Sequence, residues 1–199
     1  ASSITVQEYR CVFASNTSSM QVVASVIDVK TITCRIPAWG LHHEEAQVDF
    51  TLTADSDVVT AEPNSDATLT FSQVWTQFQP QEGPAYGQIV LITGAGFHLK
   101  NGGYRCWFNE TSNPNVSMSS HVTVLNSSTL ECHSSVWQHP YAQTIVTLTF
   151  AGSPVPYEGN GLPNFNIFDA WKSVSPSQAA SNGGTLLTIS GDGFSDTEN

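Results

Sequence analysis

Four cysteines, six histidines, a carboxylate-rich stretch and two glycine-flanked turns are the features of this 199-residue chain that could carry chemistry. The cysteines fall two by two, Cys11 with Cys34 and Cys106 with Cys132. Pairing within each couple closes a loop of about 25 residues, for which chain entropy gives roughly 3 to 3.5 kcal/mol. That would place the chain in an oxidising compartment. Free thiols or a zinc site are the alternative, and both lack a C-x-x-C spacing. The turns Gly94-Ala95-Gly96 and Gly191-Asp192-Gly193 would hold a phosphate only at a helix N-terminus, and they lack the third glycine and the lysine of a phosphate loop.

Among the histidines (His42, His43, His98, His121, His133 and His139), only His42-His43 beside Glu44-Glu45 form a cluster. Adjacent strand residues point to opposite faces, so joint metal ligation would need a loop there, and a surface loop is the simpler reading. Glu44, Glu45, Asp49, Asp55, Asp57, Glu62 and Asp66 lie in a mostly polar stretch that reads as a solvated loop and strand edge. A calcium site built from them is the competing reading, without EF-hand spacing to support it. Neither a serine in a strained elbow nor a carboxylate pair in a recognisable setting occurs. The chain is therefore expected to have no catalytic residues and no cofactor.

Asn16, Asn109, Asn115 and Asn126 each open an N-x-Ser/Thr triplet and fall in or beside predicted turns, where a glycan can be accommodated. Of the five tryptophans, Trp39, Trp75, Trp137 and Trp171 recur at equivalent positions, which suits core or junction roles, whereas Trp107 has Val12 at its equivalent and is freer to meet a sugar.

The elements that must position these residues are organised by a repeat. Trp75 and Pro80 recur as Trp171 and Pro176, and Gly94-Ala95-Gly96-Phe97 recurs as Gly191-Asp192-Gly193-Phe194, at offsets of 96 and 97. Tyr9-Arg10-Cys11 recurs as Tyr104-Arg105-Cys106, and Cys34 with Trp39 as Cys132 with Trp137, at offsets of 95 and 98. Offsets this constant mean tandem units of about 100 residues, the size of a β-sandwich. Residues 75–170 make one complete unit, 1–74 the back portion of a first, and 171–199 the opening of a further one.

Only 12% of residues are charged, helical periodicity is hard to find, and alternation such as that of Val48, Phe50 and Leu52 with Asp49, Thr51 and Thr53 marks strands with one buried face. Strands are predicted at 3–6 (weakly), 9–13, 21–29, 31–35, 48–53 and 69–74, with a loop at 38–45 and an acidic hairpin or loop at 54–67. In the complete unit they are predicted at 75–79, 88–93, 104–108, 120–125, 129–133, 144–151 and 164–168, with a turn at 80–87 and a loop at 152–163. Short strands separated by turn clusters every 8 to 12 residues, roughly, describe an immunoglobulin-like sandwich. A net charge of −11 with six scattered basic residues disfavours nucleic acid and anionic membranes. No apolar run is long enough to span a bilayer. The start at Ala1-Ser2-Ser3 has no leader pattern and reads as a mature or trimmed chain.

A Pro, a Gly-rich turn and an apolar strand running into Gly-x-Gly-Phe, as in Pro176 to Gly184 followed by Thr185 to Phe194, resemble the opening of an IPT/TIG domain. Cys106 and the strand Thr129-Leu130-Glu131-Cys132 resemble that family's paired cysteines. The turn at 81–87 departs by being one residue shorter than its counterpart. The resemblance covers the chain in three pieces. It implies an all-β fold of tandem early-set immunoglobulin-like sandwiches, used as spacers or interaction modules in receptor ectodomains and large secreted proteins.

The repeat is cut out of phase. Residues 1–74 lack the entering and central strands of their sandwich, while Trp171, Val174, Leu186, Leu187, Ile189 and Phe194 form the matching apolar set at the other end. At about 1.5 to 3 kcal/mol per buried side chain, their absence removes roughly 9 to 18 kcal/mol of gross burial, against a domain stability of about 5 to 15 kcal/mol. The expected partner is therefore the chain itself: head-to-tail copies, or adjacent repeats of a longer polypeptide, share strands to build a glycosylated extracellular filament. A fragment of a receptor or adhesion ectodomain is the rival reading, and a carbohydrate-binding accessory module a third.

Overall fold

The computed structural model describes residues 7–100 and 102–196. The alternation at 3–6 lies outside them. Apart from one short 3₁₀ turn, strand is the regular structure of the described residues, as the alternation and turn spacing require. β1 (Tyr9–Ala14), β2 (Ser19–Asp28), β3 (Thr31–Cys34), β4 (Ala46–Ala54), β5 (Asp57–Val58) and β6 (Thr68–Phe71) form one sheet. Its order is β3-β2-β1-β4-β5, with β6 also on β4.

The second sheet holds β7 (Val74–Gln79), β8 (Glu82–Pro84), β9 (Ile89–Ala95), β10 (Tyr104–Glu110), β11 (Ser117–Asn126), β12 (Thr129–His133), β13 (Ala142–Phe150), β14 (Ser153–Pro154) and β15 (Asn164–Phe168). Its order is β7-β9-β12-β11-β10-β13-β15-β8, with β14 on β13. β16 (Ala170–Ser175) and β17 (Thr188–Asp192) pair only with each other among the described residues.

The second sheet folds over on itself. Trp75 donates its backbone N–H to the Pro156 carbonyl (3.0 Å) and its indole Nε1 to the Val155 carbonyl (3.1 Å), joining the first strand to the far side. The apolar run of β9 thus lies between two strands, with Val90 and Ile92 in a core shared by Trp75, Phe97, Phe108 and Leu148. Gly94 allows the closing turn, because a Cβ there would collide with the Val74 carbonyl and the Phe97 ring. Gly191 is placed identically, against the Ala170 carbonyl and the Phe194 ring.

Four local expectations need correction, the first being the loop at 152–163, which contains β14 paired with β13. The stretch 80–87, read as a turn, contains β8, which pairs in parallel with β15; a three-residue strand containing Pro84 has no alternation to betray it. Residues 38–45, read as a loop, begin with a 3₁₀ turn at Trp39–Leu41. β10 runs two residues past Phe108, so Asn109, expected in or beside a turn, sits inside a strand, opposite Ser117 and Ile145.

Candidate functional site

The same sequence positions meet two fates in this molecule. Trp75, Ile92 and Phe97 of the complete sandwich are 1%, 0% and 0% exposed, whereas their counterparts Trp171, Ile189 and Phe194 are 69%, 58% and 45% exposed. Val174 and Leu187 are exposed as well where Phe78 and Val90 are buried, whereas Leu186 is exposed like its counterpart Ile89. On the first sheet only Cys11, Phe13, Trp39 and Val48 form a buried cluster, with Cys34, Phe50, Leu52 and Leu69 half-buried around it. Beside them lies an apolar groove of about 430 Å³ lined by Phe13, Ile32, Cys34, Phe50 and Leu52 among others. At its rim Asp66 accepts the backbone N–H and hydroxyl of Thr68 (3.1 and 2.9 Å), which hold its carboxyl below the ordinary carboxylate range. β3 is the end strand of its sheet and leaves one edge unpaired among the described residues. An exposed apolar strand edge of this kind invites a further strand.

The joints between units also repeat. The Gly96 carbonyl accepts the Glu45 N–H (2.8 Å), and the Gly96 N–H donates to the Gly40 carbonyl (2.9 Å), seating the glycine turn of the complete unit on the loop that follows Trp39. The Gly193 carbonyl likewise accepts the Tyr141 N–H (2.8 Å), seating the second glycine turn on the loop that follows Trp137. Gly193 has φ +82°, in the left-handed region, and a Cβ there would press on Ala85 and Asp169.

At the first joint His98 lies between two carboxylates, with Nδ1 3.0 Å from Glu44 Oε2 and Nε2 2.8 Å from Glu45 Oε1. Its ring stacks on Phe150 with centroids 4.4 Å apart. The neighbouring Tyr104 hydroxyl donates to Gln73 Oε1 (2.6 Å) and accepts the His98 N–H (2.9 Å). Burial pushes that phenol up to about 12, against the His98 hydrogen bond and with help from Glu45 and Glu44. Local sequence spacing singled out His42-His43 instead; only the joint brings residue 98 to residues 44 and 45.

Cys11 is bonded to Cys34 and Cys106 to Cys132, with Cα separations of 6.3 and 6.2 Å. Asn16, Asn115 and Asn126 are exposed, and Asn126 Oδ1 accepts both the N–H and the hydroxyl of Ser128, the last residue of its own triplet. Asn109 is half-buried, its Nδ2 3.2 Å from Thr147 Oγ1. Trp39, Trp75 and Trp137 are buried, and Trp107 is half-buried with Nε1 3.3 Å from Thr149 Oγ1. Among the described residues no three of His, Cys, Asp or Glu are grouped as a metal site would require, and no helix is long and apolar enough to cross a membrane.

No curated protein matches the chain. Similar solved structures include a structural-genomics protein from Bacteroides thetaiotaomicron, at 20% identity and TM-score 0.39, over 59% of this chain and 25% of that one. Two structures of the plexin A4 full extracellular region match at 12% identity, with TM-scores of 0.40 and 0.39, over 94% and 96% of this chain and 24% and 22% of theirs. The chain thus spans about a quarter of the length of these solved chains. The IPT/TIG domain model matches residues 74–158 and again 171–199, the second match opening on the exposed Trp171. With more than half of its residues matched, and with both matched stretches built on the same tryptophan and glycine-turn framework, the chain belongs to the IPT/TIG domain family.

Proposed function

We propose that this chain is a structural subunit of an extracellular filament or appendage, polymerising head-to-tail as residues 171–194 of one copy complete the unfinished sandwich of the next. The observation that carries the reading is the contrast in burial between Trp75, Ile92 and Phe97 and their exposed counterparts Trp171, Ile189 and Phe194. Covering the five inward-facing apolar side chains of the strand pair, Trp171, Val174, Leu187, Ile189 and Phe194, supplies roughly 7.5 to 15 kcal/mol of gross burial, comparable to the stability of a whole domain. Donation of strands from tail to head uses two different surfaces, so the contact is heterologous and propagates instead of closing.

An oxidising, extracellular setting suits the two disulfides. Asn16, Asn109, Asn115 and Asn126, none of which lines the groove, are the proposed glycan carriers, and the role is mechanical rather than catalytic. Light scattering and electron microscopy of the purified chain test the proposal: oligomers that lengthen with concentration are expected, and Ile189→Asp should abolish them while leaving the 75–170 sandwich folded. A monodisperse 21.4 kDa species that unfolds cooperatively would refute strand sharing. It would favour instead a piece of a longer adhesion-type ectodomain.

A further inference from the structure

We infer that the donated strand pair of a second copy enters at one register, set by two seams at once; this rests on the strand-sharing reading above. The complete sandwich is the template. There β12 pairs with β9 so that Leu130 faces Ile92, Glu131 faces Leu91 and Cys132 faces Val90.

β3 holds the place of β12. Its pairing with β2 breaks register between Val26 and Asp28, just as the pairing of β12 with β11 breaks between Val124 and Asn126. β16 and β17 hold the places of β7 and β9, with the break between Trp171 and Ser173 matching that between Trp75 and Gln77. Because the bulges coincide, the positions transfer one for one. Ile32 of one copy faces Ile189 of the other, Thr33 faces Thr188, and Cys34 faces Leu187. A slip of one residue would turn Leu187 and Ile189 to solvent and drive Thr188 into the groove.

The second seam excludes a slip of two. In the complete unit the Trp75 backbone bonds to Pro156 and Glu158, and its indole to the Val155 carbonyl. The β4–β5 hairpin repeats the β13–β14 hairpin, since Val59 donates to the Leu52 carbonyl as Val155 donates to the Leu148 carbonyl, both at 2.9 Å. Val59 therefore stands where Val155 stands, and its carbonyl receives the indole of the incoming Trp171. A two-residue slip would carry that indole about 6.5 Å away and leave its N–H without this partner. Both seams lie on the same strand pair and agree at a single register.

The test uses the full chain with paired cysteines. Directly opposed residues bring their Cβ atoms to about 4.5–5.5 Å and diagonal ones to about 7–8 Å. Thr33→Cys with Thr188→Cys should give a reducible ladder at least about tenfold stronger than Thr33→Cys combined with Leu186→Cys or Ser190→Cys. Equal ladders, or a stronger one at 186 or 190 while assemblies persist by light scattering, would overturn the register and leave strand sharing intact. Absence of assembly in the unsubstituted chain would overturn strand sharing itself. Hydrogen exchange on the unsubstituted chain supplies a second measurement: β3 amides should gain protection on assembly, and no gain refutes pairing at this edge.

Discussion

Tyr104 concentrates the residue-scale chemistry of the joint, a phenol buried between Gln73 and the His98 amide. Burial raises it from the ordinary 10.0 to about 12, so across that interval the folded protein keeps a proton that the unfolded chain has lost. Its contribution to stability is whole below about pH 10 and disappears as pH rises through about 12. A spectrophotometric titration should show one of the five tyrosines ionising late, and Tyr104→Phe should remove that step. His98→Ala removes both carboxylate contacts of a partly exposed ring and should cost at most about 1 kcal/mol. The expected readout is a broader spread of inter-unit distances in small-angle scattering. Replacing Cys106 and Cys132 with alanine should cost about 2–5 kcal/mol, read from denaturant melts. The cysteines were legible as pairs because their spacing recurs; His98 was not, because its partners are 53 and 54 residues away and share no periodicity with it.

At the scale of elements, the turn glycines separate local folding from assembly. Gly94→Ala places a Cβ against the Val74 carbonyl inside a finished core, and should lower the stability of the 75–170 sandwich by about 1–3 kcal/mol. Gly191→Ala makes the same collision with the Ala170 carbonyl, but in a strand pair whose apolar face is uncovered. It should leave that melting transition in place and weaken polymer growth, a difference that calorimetry and light scattering together would expose. Most strands were legible from alternation, and β9 from its unbroken apolar run between turn signals. β8 was not, because its parallel pairing with β15 is a distant event and three residues carry no pattern. Asn109 was misplaced for a related reason: β10 continues as far as β11 and β13 can pair with it, whatever its own local pattern suggests.

For the whole molecule, the strand-sharing proposal makes the groove of the first sheet and the apolar strand pair at the other end two sides of one contact. A chain carrying an additional copy of residues 170–196, joined by a flexible Gly/Ser linker ahead of its first sheet, should therefore satisfy its own groove and cap growth from the head. Mixed at equimolar ratio with the natural chain, it should shorten the oligomers severalfold by light scattering; unchanged length would count against the groove as the growth point. Sequence alone determined the tandem period and the paired cysteines. Trp, Gly, Pro and Cys each meet a backbone or packing requirement that few other residues can, so their recurrence is readable without coordinates. Tertiary structure decided which side chains those landmarks leave uncovered, how the glycine turns seat on the tryptophan loops, and that His98 meets Glu44 and Glu45. Each of these depends on segments far apart in the chain arriving together, and contacts of that kind leave no periodic trace in the local sequence.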